Sequence, residues 1–122
     1  MTKTELLQRT KAYALRVVKA VQALPRKDDV ATILGRQLLR AGTSVGANYR
    51  AACRAKSAAN FLHKLKIVEE ECDESVYWME LIVESGVVPP ARFQPLIAEA
   101  NELVAIVVAS LRTARGLSNR KS

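Results

Sequence analysis

At 122 residues, 49% hydrophobic and 25% charged, the chain holds enough apolar material for one domain with a core and is too short for two ordinary ones. No apolar run approaches the roughly 18 to 20 residues of a bilayer-spanning helix. The N-terminus MTKTELLQRTK turns polar too early for a secretory leader, so the expected setting is cytoplasmic, with no membrane partner. The formal charge of +7 is unevenly spread. Residues 58–85 carry two basic and seven acidic side chains, net −5, and the remainder carries seventeen basic and five acidic, net +12. Such asymmetry points to polyanion binding or to one part of the protein docking on another.

The first element is TELLQRTKAYALRVVKAVQAL, residues 4–24. Leu7, Thr10, Ala14, Val17, Val21 and Leu24 line one stripe at helical spacing, and Pro25 ends it. Asp28 or Asp29 supplies the N-cap of a second helix. That helix must pass through LLRAGTSVGANYR, whose glycines, Thr-Ser pair and asparagine are also the makings of a turn. Phase decides the matter. Leu34, Leu38, Ala41, Val45, Asn48 and Ala52 keep spacings of 4, 3, 4, 3 and 4 residues, so one helix of about 29–56 is predicted. Two interior glycines cost roughly 1 kcal/mol each against alanine. Close packing offsets this: Gly42-xxx-Gly46, with Ala41, Ser44, Ala47, Ala51 and Ala52, forms a surface that another backbone can approach. A P-loop is excluded, since neither its lysine nor its preceding strand is present.

Ser57 N-caps a third helix running to Gly86, which caps the C-terminal end ahead of Pro89-Pro90. Its inward positions are Phe61, Leu65, Val68, Cys72, Met79 and Ile82. A fourth helix starts near Arg92, with Pro95 in its first turn, and turns Leu96, Ala100, Leu103, Val107 and Leu111 inward. Residues 1–117 then form one domain, and 118–122 a polar basic tail. No strand alternation occurs. Four helices with short links predict an all-α fold, an antiparallel up-down-up-down four-helix bundle.

Searching for chemistry gives little. His63 is the sole histidine, and no serine or cysteine stands in an activating context. Cys53 and Cys72 lack metal-ligand spacing and read as reduced core thiols. The acidic run EEECDE lacks the paired Glu-x-x-His motifs of di-iron bundles. No catalytic residue, metal or cofactor is expected, and the protein is not expected to be an enzyme. In an antiparallel pairing of helices 2 and 3, facing residues have numbers summing to roughly 114. Arg40 then faces Glu74, Ser44 faces Glu70–Glu71, and Asn48 faces Lys66–Ile67. This predicts an inter-helix polar seam of Arg40, Ser44, Asn48, Glu71 and Glu74 that sets the register.

The back stripe of helix 3, with His63, Ile67, Glu70, Glu74, Tyr77, Leu81 and Glu84, alternates apolar with acidic residues. We assign His63, Ile67, Glu70, Tyr77, Trp78 and Leu81 to an oligomer interface. An acidic helix docking on a basic face of another subunit makes a heterologous contact, which stays compact only in a closed ring. Arg36, Arg50, Arg54 and Lys56 on one side, and Arg112, Arg115, Arg120 and Lys121 on the other, are the candidate nucleic-acid-binding residues. In an up-down-up-down bundle the ends of helices 2 and 4 lie together, and such arginines read phosphates rather than bases.

QLLRAGTSVGAN, followed by FLHKLKIVEEECDESVYWMEL, resembles the four-helix bundle proteins called 23S rRNA intervening sequence proteins. The likeness rests on Gln37-Leu38-Leu39-Arg40, Thr43-Ser44, Gly46-Ala47-Asn48, Phe61, Lys64-Leu65, Glu71, Glu74 and Tyr77-Trp78, across residues 36–85. It implies an antiparallel bundle assembled as a ring, typically a homopentamer. It also implies relatedness to the accessory variability proteins of diversity-generating retroelements, basic rings that partner a reverse transcriptase and nucleic acid. It brings no catalytic residues. Many members have an acidic residue shortly after the asparagine, where NYRAACRAK supplies Arg50 and Arg54. Three functions stand open: a ring-forming scaffold binding RNA or DNA, the accessory subunit of a retroelement reverse transcriptase, and a purely structural homo-oligomer.

Overall fold

The structure, a computed structural model, describes the backbone to Lys121 and side chains to Gly116. Among the described residues there are four α-helices, α1 (Lys3–Gln22), α2 (Asp29–Cys53), α3 (Ala58–Glu84) and α4 (Gln94–Lys121), one 3-10 turn (Pro90–Arg92) and no strand. Local chemistry starts each of the first three. Thr2 and Glu5 form a reciprocal capping box on α1. The Asp28 carboxylate accepts the Ala31 N–H at 2.9 Å, and the Ser57 hydroxyl accepts that of Asn60 at 3.1 Å. Gly86, two residues past α3, is the one described residue with positive φ, +79°, a conformation that L side chains resist.

The glycine-bearing stretch is helical throughout, and α2 stops at Cys53, three residues before the predicted end. The link of four residues that follows lets Ser57 begin α3. Gly35, Gly42 and Gly46 all turn toward α1. A Cβ on Gly42 would stand 2.8 Å from both γ-carbons of Val17, one on Gly35 2.8 Å from Leu24 Cδ1, and one on Gly46 3.3 Å from the Thr10 carbonyl oxygen. The small edge of α2 is therefore where α1 lies against it. Numbers rise along one helix as they fall along the other.

Contacts join α1 to α2, α2 to α3 and α3 to α4, with α2 and α3 sharing the widest; α1 and α4 meet over much less. That weaker seam is tied by Arg9, whose guanidinium reaches Glu99 at 2.7 and 2.8 Å and also pairs with Glu102. The inward stripe of α1 differs from its sequence reading by one position: Leu6 and Tyr13 are buried, while Leu7 and Ala14 stay half-buried. Tyr13 has no exposed surface. Its hydroxyl lies 2.7 Å from Ser75 Oγ, and Ser75 in turn donates to the Cys72 carbonyl at 2.6 Å. Since a serine hydroxyl has one proton, Tyr13 is the donor in this chain. Burial pushes the Tyr13 phenol upward, against the effect of the Ser75 hydrogen bond.

Two further sequence readings need correction. Asn48 is half-buried, and its neighbour Tyr49 takes the core position. In α4, Gln94–Gly116 is long and apolar enough to cross a membrane by length and composition, which corrects the expectation of no such run. Leu96, Ala100, Leu103, Val107 and Leu111 of that stretch pack into the bundle core. The proposed boundary between 117 and 118 falls inside α4, and the side chains from there on lie outside the described residues.

Candidate functional site

The acidic side chains outside α3 are nearly all occupied by the fold. Glu5 closes the α1 capping box, Asp28 caps α2, Asp29 sits in the first turn of α2, and Glu99 and Glu102 hold Arg9. The Arg9 hydrogen bond keeps the Glu99 carboxyl below the usual carboxylate range, against the opposing effect of burial. Left over are cations. Arg36, Arg50, Arg54, Lys56, Arg112 and Arg115 are exposed, and among the described residues none has a carboxylate partner.

Most of these cations gather at one end. Arg50 lies in the last turn of α2, with Arg54 and Lys56 just beyond. The start of α1 lies beside them: Leu7, Gln8 and Lys11 share a cleft of about 320 Å³ with Gly46, Arg50, Cys53 and Arg54. Met1 and Phe61 line a second cleft with Ile106, Ala109, Ser110, Thr113 and Ala114, so the α4 segment leading to Arg112 and Arg115 also lies where α1 begins. Arg36 does not join this group. It stands fourteen residues before Arg50, about 21 Å along the helix, and lines a separate cleft with Arg26, Val21 and Leu24. Arg120 and Lys121 lie outside the described side chains. Lys11 is an exposed member of this basic end that sequence reading missed. It is one lysine among several on α1, and only the α1–α2 packing brings it beside Arg50.

Cys53 borders the α1–α2 cleft and is half-buried, so it is not the core thiol that was expected. Beneath it, burial first and Cys53 second push the Tyr49 phenol up to about 12. Cys72 is fully buried, with burial pushing its thiol up to about 12.

The seam between α2 and α3 is narrower than expected. Arg40 pairs with Glu74 and reaches Glu71 at 3.4 Å, and Trp78 donates its indole N–H to Glu74 at 3.1 Å. Burial raises the Glu71 carboxyl above its ordinary pKa; nearby Glu74 adds to this and Arg40 opposes it. Ser44 donates to the Arg40 carbonyl at 2.7 Å and Asn48 to the Ser44 carbonyl at 2.9 Å. Both short side chains satisfy themselves within α2 instead of crossing.

Of the residues assigned to an oligomer interface, His63, Glu70 and Tyr77 are exposed, and Ile67, Trp78 and Leu81 half-buried. Tyr77 and Trp78 pack edge to face, with centroids 5.2 Å apart and planes at 72°. Among the described residues no three His, Cys, Asp or Glu side chains form a group able to hold a metal ion.

The fold and sequence can be set beside known proteins. The chain is similar to a protein with unknown function from the S23 ribosomal protein family of Bacteroides thetaiotaomicron VPI-5482. That crystal structure superposes with a TM-score of 0.85 at 27% identity, over 92% of this chain and 99% of the other. No curated protein matches. The family model of the 23S rRNA-intervening sequence proteins matches residues 2–109, nearly the whole of the four-helix domain, and the chain belongs to that family.

Proposed function

We propose that this protein is a non-catalytic, basic scaffold of the cytoplasm, an up-down-up-down four-helix bundle assembled as a ring, that binds RNA or DNA through phosphates. One observation carries the reading. Four of the five acids outside α3 are committed to caps or to Arg9, while Arg50, Arg54, Lys56, Arg112 and Arg115 stand exposed with no carboxylate partner among the described residues. Repeated around a ring of five copies, the assembly that the family resemblance implies, such an end makes a continuous basic rim. Phosphate contacts of this kind fix position and carry little sequence information.

The test is the Arg50→Ala/Arg54→Ala double variant, measured for size by light scattering and for binding to unrelated single-stranded RNAs across a salt series. Wild-type affinity should fall with a log–log slope of about −0.7 per phosphate neutralised on a single strand. The double variant should show a shallower slope, weaker binding to every sequence alike, and an unchanged ring. If it falls into smaller species instead, the arginines pair with α3 acids of a neighbour, and the protein is a purely structural oligomer. A wild type that binds no nucleic acid at low salt removes the reading. A narrower form makes the ring the accessory subunit of a retroelement reverse transcriptase. The resemblance over residues 36–85 supports it, and an adjacent reverse transcriptase gene would separate it from the general form.

A further inference from the structure

The cleft between α1 and α2 has a composition that a phosphate-reading rim does not need. Its mouth carries three exposed cations, Lys11, Arg50 and Arg54, while the half-buried Leu7, Gly46 and Cys53 line it further in. None of the three cations has a carboxylate partner among the described residues. A rim that only follows a phosphate chain is served by exposed side chains on a convex surface. Here the cations surround a concavity of about 320 Å³, at the small end of the range for ligand cavities.

We propose that this cleft is a binding site for a nucleoside monophosphate. Three positive groups around one mouth suit a phosphate monoester, which carries about −1.5 to −2 charge at neutral pH, better than a carboxylate. Arginine forks bind phosphate oxygens in pairs, and their planes stack on flat heterocycles. Gln8 on the same wall offers both a donor and an acceptor to a base edge, which an aliphatic phosphate would leave unused. The half-buried Leu7 and Cys53 supply an apolar surface for the ring. The inference goes beyond the rim reading and does not need the ring assembly. The same chemistry is presented by a free mononucleotide and by the 5′-phosphorylated end of a strand.

Calorimetry with adenosine monophosphate, adenosine and inorganic phosphate on the full chain tests it, together with protection of Cys53 from a neutral maleimide. Cys72 is buried and should stay silent, which a Cys53→Ser control establishes. Adenosine monophosphate should bind, with adenosine and inorganic phosphate each much weaker. At about ten times its dissociation constant it should slow Cys53 labelling roughly tenfold. Lys11→Glu should weaken binding by roughly ten- to a hundredfold, whereas Lys19→Glu, exposed in the last turn of α1 and outside the cleft, should leave it unchanged. The proposal is overturned by no binding at millimolar nucleotide, by binding that leaves Cys53 labelling unchanged, or by binding that Lys11→Glu does not weaken. It is equally overturned if inorganic phosphate binds as well as the nucleotide. A 5′-phosphorylated strand that displaces the nucleotide identifies a strand end as the source; a strand that binds without displacing it leaves the cleft to free nucleotides. Nucleotide binding without any strand binding would sink the rim reading while the cleft stands.

Discussion

Gly42→Ala measures how closely α1 and α2 approach. The added carbon would lie 2.8 Å from both γ-carbons of Val17 and 3.1 Å from its Cβ. Val17 has no exposed surface, and a valine in a helix holds essentially one χ1 rotamer, so relief requires moving a helix. Two effects compete. Alanine in a helix interior is worth about 1 kcal/mol over glycine, whereas forcing an extra carbon into a packed core costs about 1–3 kcal/mol. The balance is a destabilisation of up to about 2 kcal/mol, and each kcal/mol lowers the Tm by about 3–6 °C for a chain of this size. The sharper expectation is a change of sign. Val17→Ala removes the γ-carbons and should itself cost about 2 kcal/mol. In that background Gly42→Ala should stabilise, by about the 1 kcal/mol of helix propensity alone, giving a coupling of about 1–3 kcal/mol. Urea unfolding followed by far-UV circular dichroism, at one fixed protein concentration because assembly adds to stability, reads the whole cycle. If Gly42→Ala stabilises equally in both backgrounds, the helices do not meet at Gly42 and the packing argument for its glycine fails.

Leu81 is half-buried on the outer stripe of α3, so Leu81→Lys should shift the protein to smaller species in light scattering. A wild type already monomeric at micromolar concentration would refute the ring. Arg9→Met should cost about 1–2 kcal/mol at neutral pH, since it removes a two-pronged, partly buried contact from the thinnest seam of the bundle. Arg9 holds the Glu99 carboxyl below its ordinary 4.5. The pair therefore contributes fully above that pH, and its contribution fades as acid protonates Glu99 in the folded state. Unfolding curves of wild type and variant should converge in acid. A gap that persists unchanged there would mean that Arg9 acts through packing alone.

The features legible in the sequence were those with a local or arithmetic signature. Asp28 and Ser57 announce helix starts through a backbone N–H three residues on. The stripe through Leu38, Ala41 and Val45 keeps its phase across the glycines, because only an unbroken helix preserves it. Arg40 opposite Glu74 follows from an antiparallel register, a sum of residue numbers. Other features depend on partners that no short window contains. Thr10 and Val17 belong to either of two adjacent stripes on α1. Tyr13 rather than Ala14 turns inward, and its hydroxyl is met by Ser75, 62 residues away. Arg9 finds Glu99 at a separation of 90. Ser44 and Asn48 looked like crossing groups only because their option of bonding to the preceding turn has no sequence signature separate from the residue type itself. Arg36 and Arg50 share a composition argument but not a place, and Lys11 shares the place without standing out in composition.

Charge placement rather than total charge is what gives the basic end meaning. A surface selected only for solubility intersperses both signs. Here five acids face seventeen cations outside residues 58–85, and four of those acids are bound to caps or to Arg9. The cations near the start of α1 therefore stand without an ion-pair partner among the described residues. Relief within the chain would have to come from α3, whose Glu70, Asp73, Glu80 and Glu84 are exposed. Arg40 of α2 already takes Glu71 and Glu74, and Lys66 takes Glu69. The structural alternative gives the arginines of this basic end a neighbour's α3 and the proposed function gives them an external polyanion, so the two readings compete for the same side chains. Salt weakens both, but only the first changes particle size when Arg50 and Arg54 are removed. The paired measurement of size and salt slope on that one double variant therefore separates assembly from ligand binding, where either reading alone would be ambiguous.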